Sequence, residues 1–180
     1  MKKIIALLLC LGIFAVSAAG CFGMGGGQVT ATGDEAASLN EADYPDDLDG
    51  LCRYLSAHGY INTVDQNSSI EMQASLIGAS KGRKFDCKIK NISNTFIELY
   101  EYDLSNLNET ANQVRKSVKE NGTFTVLELD PVKNVYLSDS GKYLMIYNDP
   151  SIDNEKPDEN SENFKKSTEC LDLFLPFKNK

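Results

Sequence analysis

The spacing of the apolar residues changes near residue 85, and this change constrains the fold more than any other feature of the chain. Before it, a stripe at helical spacing is formed by Leu48, Leu51, Cys52 and Leu55. After it, apolar and charged residues alternate from Phe85 to Lys90, which is typical of a half-buried strand. A chain of this length with both periods predicts one domain in which helices pack on a sheet.

The same patterns divide the rest of the chain into helices and strands. Four helices are predicted over residues 45–57, 68–81, 107–120 and 164–174. The second begins at a capping box, because Glu71 follows Ser68 by three positions. Five strands are predicted over residues 85–90, 96–102, 124–129, 132–138 and 142–147. Short neighbouring strands favour hairpins, so we expect an α+β fold with about five mainly antiparallel strands and three or four helices packed on one face.

The start of the chain has the pattern of an export signal. Lys2 and Lys3 precede an apolar run from Ile4 to Val16, which is too short for a transmembrane helix of about 20 residues. Small residues follow this run and lead to Cys21. The pattern predicts a leader that a peptidase removes after small side chains.

Residues 18–21, Ala-Ala-Gly-Cys, resemble the signal of bacterial lipoproteins, whose usual form is Leu-(Ala/Ser)-(Gly/Ala)-Cys. Ala18 departs from that form, since leucine is commonest at its position. The resemblance implies that residues 1–20 are removed and that Cys21 carries the acyl chains that anchor the protein to the cell membrane, facing outside the cytoplasm. The alternative is an ordinary signal peptide cut near Ala19, which would leave Cys21 as a plain thiol.

Composition divides the mature chain into four parts. In chain order these are a flexible Gly-rich tether over residues 21–40, the α+β domain over 41–147, an acidic disordered loop over 148–163 and a short helix docking on the domain over 164–180.

Charge and cysteine content narrow the classes of partner. The chain has 18 Lys and Arg against 26 Asp and Glu, a formal net charge of −8, which argues against nucleic acid and against electrostatic docking on anionic lipid. An exported chain can form a disulfide, and Cys52 with Cys87 is the favoured pair because both lie in predicted elements. Unpaired buried thiols at Cys52, Cys87 and Cys170 are the alternative.

Neither a metal site nor a cofactor site is predicted. Asp47, Asp49 and Gly50 match the inner part of a calcium loop, but Pro45 and Ser56 occupy its first and last ligand positions. His58 lies at a predicted helix end without the partners of a catalytic or zinc site. The basic segment 78–84 is predicted to end a helix and complement its dipole, or alternatively to form a local basic patch for an acidic ligand.

Tyrosines are the residues through which a ligand face is predicted. Alternation along the strands places several on one face of the sheet, and we predict a binding face at Tyr100, Tyr102, Tyr143 and Tyr147. The alternative is that these rings pack in the core with their hydroxyls at its rim.

The sequence therefore predicts a non-enzymatic, lipid-anchored module that binds a protein or small-molecule ligand outside the cytoplasm. One alternative is a hydrolase of envelope material with acids such as Glu98, Glu101 and Asp103, although Glu98 and Glu101 fall on opposite faces of a strand. Another alternative is an assembly or accessory factor of a membrane complex.

Overall fold

Five strands form one antiparallel sheet in the computed structural model, which describes residues 38–61, 69–86, 96–127 and 129–179. The strands are Ser69–Glu71 (β1), Lys81–Asp86 (β2), Phe96–Glu101 (β3), Val135–Leu137 (β4) and Tyr143–Asn148 (β5). Their order across the sheet is β1-β2-β3-β5-β4, and each neighbouring pair is antiparallel. This arrangement confirms the predicted α+β class.

Three α-helices accompany the sheet, namely Leu48–Ala57 (α1), Glu109–Asn121 (α2) and Glu162–Phe174 (α3). Each follows an N-cap whose side chain accepts a hydrogen bond from the first turn, and these caps are Asp47, Asn108 and Ser161. The predictions for α2 and α3 are confirmed within two residues. The first helix begins at Leu48 and not at Pro45, because the cap is Asp47. Among the described residues, no helix has the length and apolar character needed to cross a membrane.

The sheet is covered on both faces, so the prediction of helices on one face is wrong. On the first face, α1 and α3 pack against a core that includes Leu99 and Phe174. On the second face, α2 and the 3-10 helix Ala74–Ile77 pack against a core that includes Val118 and Leu144. The physical reason is the composition of β5, whose side chains are apolar on both sides and must be removed from water on both.

The predicted helix over residues 68–81 is also wrong. Its start is β1, which pairs with β2 at the sheet edge. The backbone N–H of Met72 then donates to the carbonyl of Gly82 at 3.0 Å, and the following 3-10 helix ends at Gly78. Because β2 begins at Lys81, few residues remain between the paired strands, and one tight 3-10 turn fills that space.

The hairpin of β2 and β3 is confirmed by its register, which runs from Lys81 opposite Glu101 to Asp86 opposite Phe96. Strand β2 begins at Lys81, four residues before the predicted start at Phe85. Residues 87–90 of the first predicted strand, and the turn expected between the two strands, lie outside the described residues.

Irregular backbone replaces most of the strands predicted between α2 and β5. Within the described residues this region holds a single bridge, between Phe124 and Val132, followed by the short β4. Leu127 and Asn134 have φ values of 51° and 56°, in the left-handed region that an extended strand does not contain. The chain therefore forms a folded loop over the second face of the sheet.

Turns connect β5 to α3, in the segment for which an acidic disordered loop was predicted. Asp149 is buried, and its carboxylate accepts hydrogen bonds from the backbone N–H of Ser151 at 2.9 Å and from the side chain of Asn163 at 3.2 Å. Ile152 packs against the first core, and Phe177 after α3 is fully buried in it. The C-terminal segment is thereby held on the first face.

Candidate functional site

A groove of about 400 Å³ opens on the second face of the sheet, beside the part that α2 covers. Its lining is predominantly apolar and consists of Glu71, Met72, Gln73, Leu76, Ile77, Glu98, Tyr100, Phe124, Val126, Val132 and Ile146. We call it the second-face groove. A concave, mainly apolar surface with a few polar groups is the usual form of a small-molecule site.

Four separate parts of the chain build the second-face groove. One wall is the segment from Met72 to Ile77, and the opposite wall is the loop that holds Phe124, Val126 and Val132. The floor comes from the paired strands β3 and β5. Apolar surface stays exposed on the first wall, where Leu76 is 47% exposed, and Leu127, next to Val126 in the chain, is 76% exposed beside the opposite wall. Exposed apolar residues around a concavity are typical of a binding surface.

The floor of the groove contains a buried carboxylate. Glu98 is 9% exposed, its Oε2 accepts a hydrogen bond from the Tyr100 hydroxyl at 2.8 Å, and its Oε1 lies 3.4 Å from the Lys84 Nζ. Burial and the adjacent Glu98 charge raise the pKa of Tyr100 well above 10, so its hydroxyl stays protonated and donates. Because a carboxylate has about four acceptor positions, Glu98 keeps acceptor capacity for a ligand.

The position of Tyr100 depends on the glycine opposite it. Gly82 pairs with Tyr100 across β2 and β3, and a Cβ on Gly82 would lie 2.6 Å from the Tyr100 ring. The glycine therefore allows the aromatic ring to lie flat over the neighbouring strand and form part of the groove floor.

The four tyrosines of the predicted binding face do not form one exposed surface. All are at most 6% exposed, Tyr100 and Tyr102 in the second core and Tyr143 and Tyr147 in the first. Tyr100 pairs with Leu144, so the tyrosines of β5 point to the opposite side of the sheet. The alternative of core packing is the one observed, and Tyr100 is the member whose ring borders the groove.

The three acids of the hydrolase alternative are not brought together. Glu98 belongs to the second face, whereas Glu101 accepts a hydrogen bond from the Leu48 backbone N–H at 3.1 Å on the first. Asp103 is exposed, and hydrogen bonds from Ser105 lower its pKa. The carboxylates Glu98 and Glu101 therefore cannot act on one bond from the two sides of a cleft.

The predicted lipid-attachment and disulfide residues are only partly described. Cys21 and Cys87 lie outside the described residues, so the anchor and the Cys52–Cys87 pair stay predictions. Cys52 is present as a thiol with no exposed surface, and burial raises its pKa to about 12. Cys170 is buried in the same core.

The remaining candidate residues have structural roles. Asp47 caps α1 by accepting from the Gly50 N–H at 2.7 Å, and Asp49 pairs with Arg83 at 2.8 Å. His58 is the C-cap of α1, and its ring lies 4.7 Å from that of Tyr54. The part of the chain that the structure describes contains no group of metal-ligating side chains.

The cations of the basic segment lie on β2, and only Gly78 at its start is at a helix end, so the prediction that these cations complement a helix dipole is wrong. Each of its cations faces a carboxylate, in the pairs Lys81–Glu101, Arg83–Asp49 and Lys84–Glu98. These pairs neutralise the basic patch that was the alternative.

The second-face groove was not predicted from the sequence. Its wall residues come from segments predicted as a helix and as strands, and the true conformations decide which side chains face each other. The one signal available was the apolar character of β5 on both sides, which required cover on a second face.

Comparison with family models, with curated proteins and with solved structures found no match to this chain. Function is therefore argued from the geometry of the site.

Proposed function

We propose that this protein is a lipid-anchored, extracytoplasmic binding protein without catalytic activity, and that the second-face groove holds a small, largely apolar ligand. The observation that carries the proposal is an apolar groove from four chain segments over one buried carboxylate. The apolar walls supply affinity by burying ligand surface, at about 25 cal/mol per Å². Glu98 supplies orientation, because it accepts a hydrogen bond from a polar group of the ligand.

The anchor in this proposal rests on the sequence. The leader and the small residues before Cys21 favour lipid attachment, and the Gly-rich residues after it suit a tether between membrane and domain. A tethered binding domain would meet its ligand at the outer side of the membrane.

The groove is tested with Nile red, a neutral apolar dye whose fluorescence rises on transfer from water. We expect the wild-type protein to bind it saturably, and Leu76→Asp to weaken binding at least about tenfold, because a charge is placed in the apolar wall. Leu104→Asp is the matched control, since Leu104 is 43% exposed, close to the 47% of Leu76, but does not line the groove. Equal dye binding by both variants and wild type would refute the groove assignment.

The anchor is tested by incorporation of radiolabelled palmitate in growing cells. We expect label in the wild type and in Cys10→Ser, whose cysteine lies inside the apolar run, and none in Cys21→Ser. Label that persists in Cys21→Ser would refute lipid attachment at this residue.

A further inference from the structure

A second cleft, of about 600 Å³, lies between α2 and the turn that joins β4 to β5. Three cations of α2 line it, Arg115, Lys116 and Lys119, and the turn contributes Ser138, Asp139 and Ser140. We propose that this α2 cleft binds the phosphate group of a small phosphorylated molecule, independently of the second-face groove.

The charge of the α2 cleft is opposite to that of the chain. Three cations and one carboxylate line it, whereas the chain as a whole has a formal charge of −8. Lys116 has a weak exposed partner in Glu120 at 3.9 Å. Among the described residues, Arg115 and Lys119 form no ion pair, while the cations of β2 all do. The cleft thus offers positive charge that an anionic ligand can neutralise.

Arg115 is held in position before any ligand arrives. Its Nε donates to the Gly141 carbonyl at 3.1 Å, and its guanidinium carbon lies 5.8 Å from the centre of the Tyr102 ring. A Cβ on Gly141, whose φ is 70°, would be strained and would lie 2.6 Å from the Arg115 Nη2, so a side chain here would displace the end of the arginine. The terminal N–H groups of such a fixed, planar group are suited to two oxygens of a phosphate.

The turn between β4 and β5 places two hydroxyl groups in the cleft together with Arg115. Ser138 and Ser140 place their hydroxyl oxygens 3.0 Å apart, and both oxygens accept backbone N–H groups, from Tyr143 at 3.0 Å and Lys142 at 3.3 Å. One of these two hydroxyls donates to the other, so the second hydroxyl keeps a proton that it can donate to a further acceptor such as a phosphate oxygen. The volume of the α2 cleft exceeds that of a bare phosphate ion and lies in the range of small-molecule sites.

The test is calorimetric titration of the full chain with inorganic phosphate and with pyrophosphate at low ionic strength. We expect saturable binding that salt weakens, tighter for pyrophosphate. Lys119→Gln and Arg115→Gln should each weaken pyrophosphate binding about tenfold or more. Lys133→Gln, at an exposed lysine outside the cleft, should bind as the wild type does.

Two outcomes would overturn the proposal, namely no saturable binding of either anion, or the same loss in Lys133→Gln as in Lys119→Gln. Lys119 is exposed, so its variant is informative even if Arg115→Gln does not fold. Co-sedimentation with phosphatidylcholine vesicles, with and without phosphatidylglycerol, identifies the source of the phosphate. If phosphatidylglycerol increases the fraction of protein that sediments with the vesicles, and Lys119→Gln abolishes that increase, the phosphate belongs to a lipid headgroup. If the protein binds pyrophosphate but phosphatidylglycerol does not increase co-sedimentation, the ligand is a soluble molecule.

Discussion

Tyr100 of β3 and Tyr102, which follows that strand, show how differently the same residue is accommodated within one core. Tyr100 and Tyr102 are two positions apart, face the same side of the sheet and are both buried. The Tyr100 hydroxyl donates to Glu98, whereas the Tyr102 hydroxyl has no hydrogen-bond partner among the described residues. An unpaired buried hydroxyl costs free energy, and a paired one does not.

We therefore predict opposite effects for the same substitution. Tyr100→Phe should lower the free energy of unfolding by about 1.5–2 kcal/mol, because a hydrogen bond to a charged group is lost. Tyr102→Phe should leave it unchanged within about 0.5 kcal/mol or raise it. Urea denaturation of the two variants measures the difference. A larger decrease in the free energy of unfolding for Tyr102→Phe would mean that the Tyr102 hydroxyl has a hydrogen-bond partner in solution.

At the scale of elements, glycines decide how the 3-10 helix Ala74–Ile77 meets α2. Gly78 ends that helix with φ of 71°, and a Cβ there would lie 2.4 Å from the backbone nitrogen of Ala111, in the first turn of α2. Gly122 ends α2 with a similar φ of 67°, but nothing lies within 4 Å of its Cβ position. The two glycines share a conformation and differ in contact.

Replacing each of these two glycines by alanine separates the cost of backbone strain from the cost of a steric clash. Gly122→Ala should cost about 1 kcal/mol, the penalty of a left-handed alanine. Gly78→Ala should cost about 3 kcal/mol or more, because the backbone of α2 must also move. Thermal unfolding of both variants provides the measurement, and equal costs would show that α2 moves aside freely. Since Ile77 lines the second-face groove, Gly78→Ala should also weaken Nile red binding.

At the scale of the whole molecule, a network of charged groups fixes the start of α1 to the first face of the sheet. Lys142 on the turn before β5 lies 3.1 Å from Asp46 and 3.5 Å from Glu101, and the Tyr143 hydroxyl donates to Asp46 at 2.7 Å. Glu101 also accepts from the backbone of Leu48. The network connects α1 to β3 and β5, which the local sequence of each element does not specify.

Acid should weaken this connection. Partial burial raises the pKa of Asp46, but the hydrogen bonds from Tyr143 and Lys142 outweigh it and hold the pKa below 3.8. A group with a lowered folded-state pKa stabilises the fold above its unfolded value, near pH 4, and this contribution is lost as the pH falls through the folded pKa. Asp46→Asn should cost about 0.5–1 kcal/mol at pH 7, a small value because the side chain is largely exposed, and less below pH 4.

The measurement is urea denaturation of wild type and Asp46→Asn from pH 7 to pH 3. Asp130→Asn, at an exposed aspartate elsewhere, is the control and should follow the wild type at every pH. A difference between wild type and Asp46→Asn that grows toward low pH would contradict the assigned role.

The sequence by itself determined those features whose causes are local. Helix α2 was predictable because its apolar residues recur at helical spacing and Gly122 follows the last of them, whereas its cap at Asn108 was seen only in the structure. The hairpin of β2 and β3 and the α+β class followed from alternation along the strands. The opposite orientation of Glu98 and Glu101 was also predictable, since it needs only the two-residue period of a strand.

Only the tertiary structure decided the features that depend on neighbours distant in the chain. The sequence from Ser68 satisfies a helix-capping pattern, but pairing with β2 makes residues 69–71 a strand, because hydrogen bonds to an open sheet edge outweigh a weak local preference. Tyr100 forms a groove floor because Gly82 lies opposite it on the adjoining strand. Arg115 is fixed in the α2 cleft by Gly141 of a distant turn. Side chains from separate elements make each site, so its geometry exists only once the sheet has set their register.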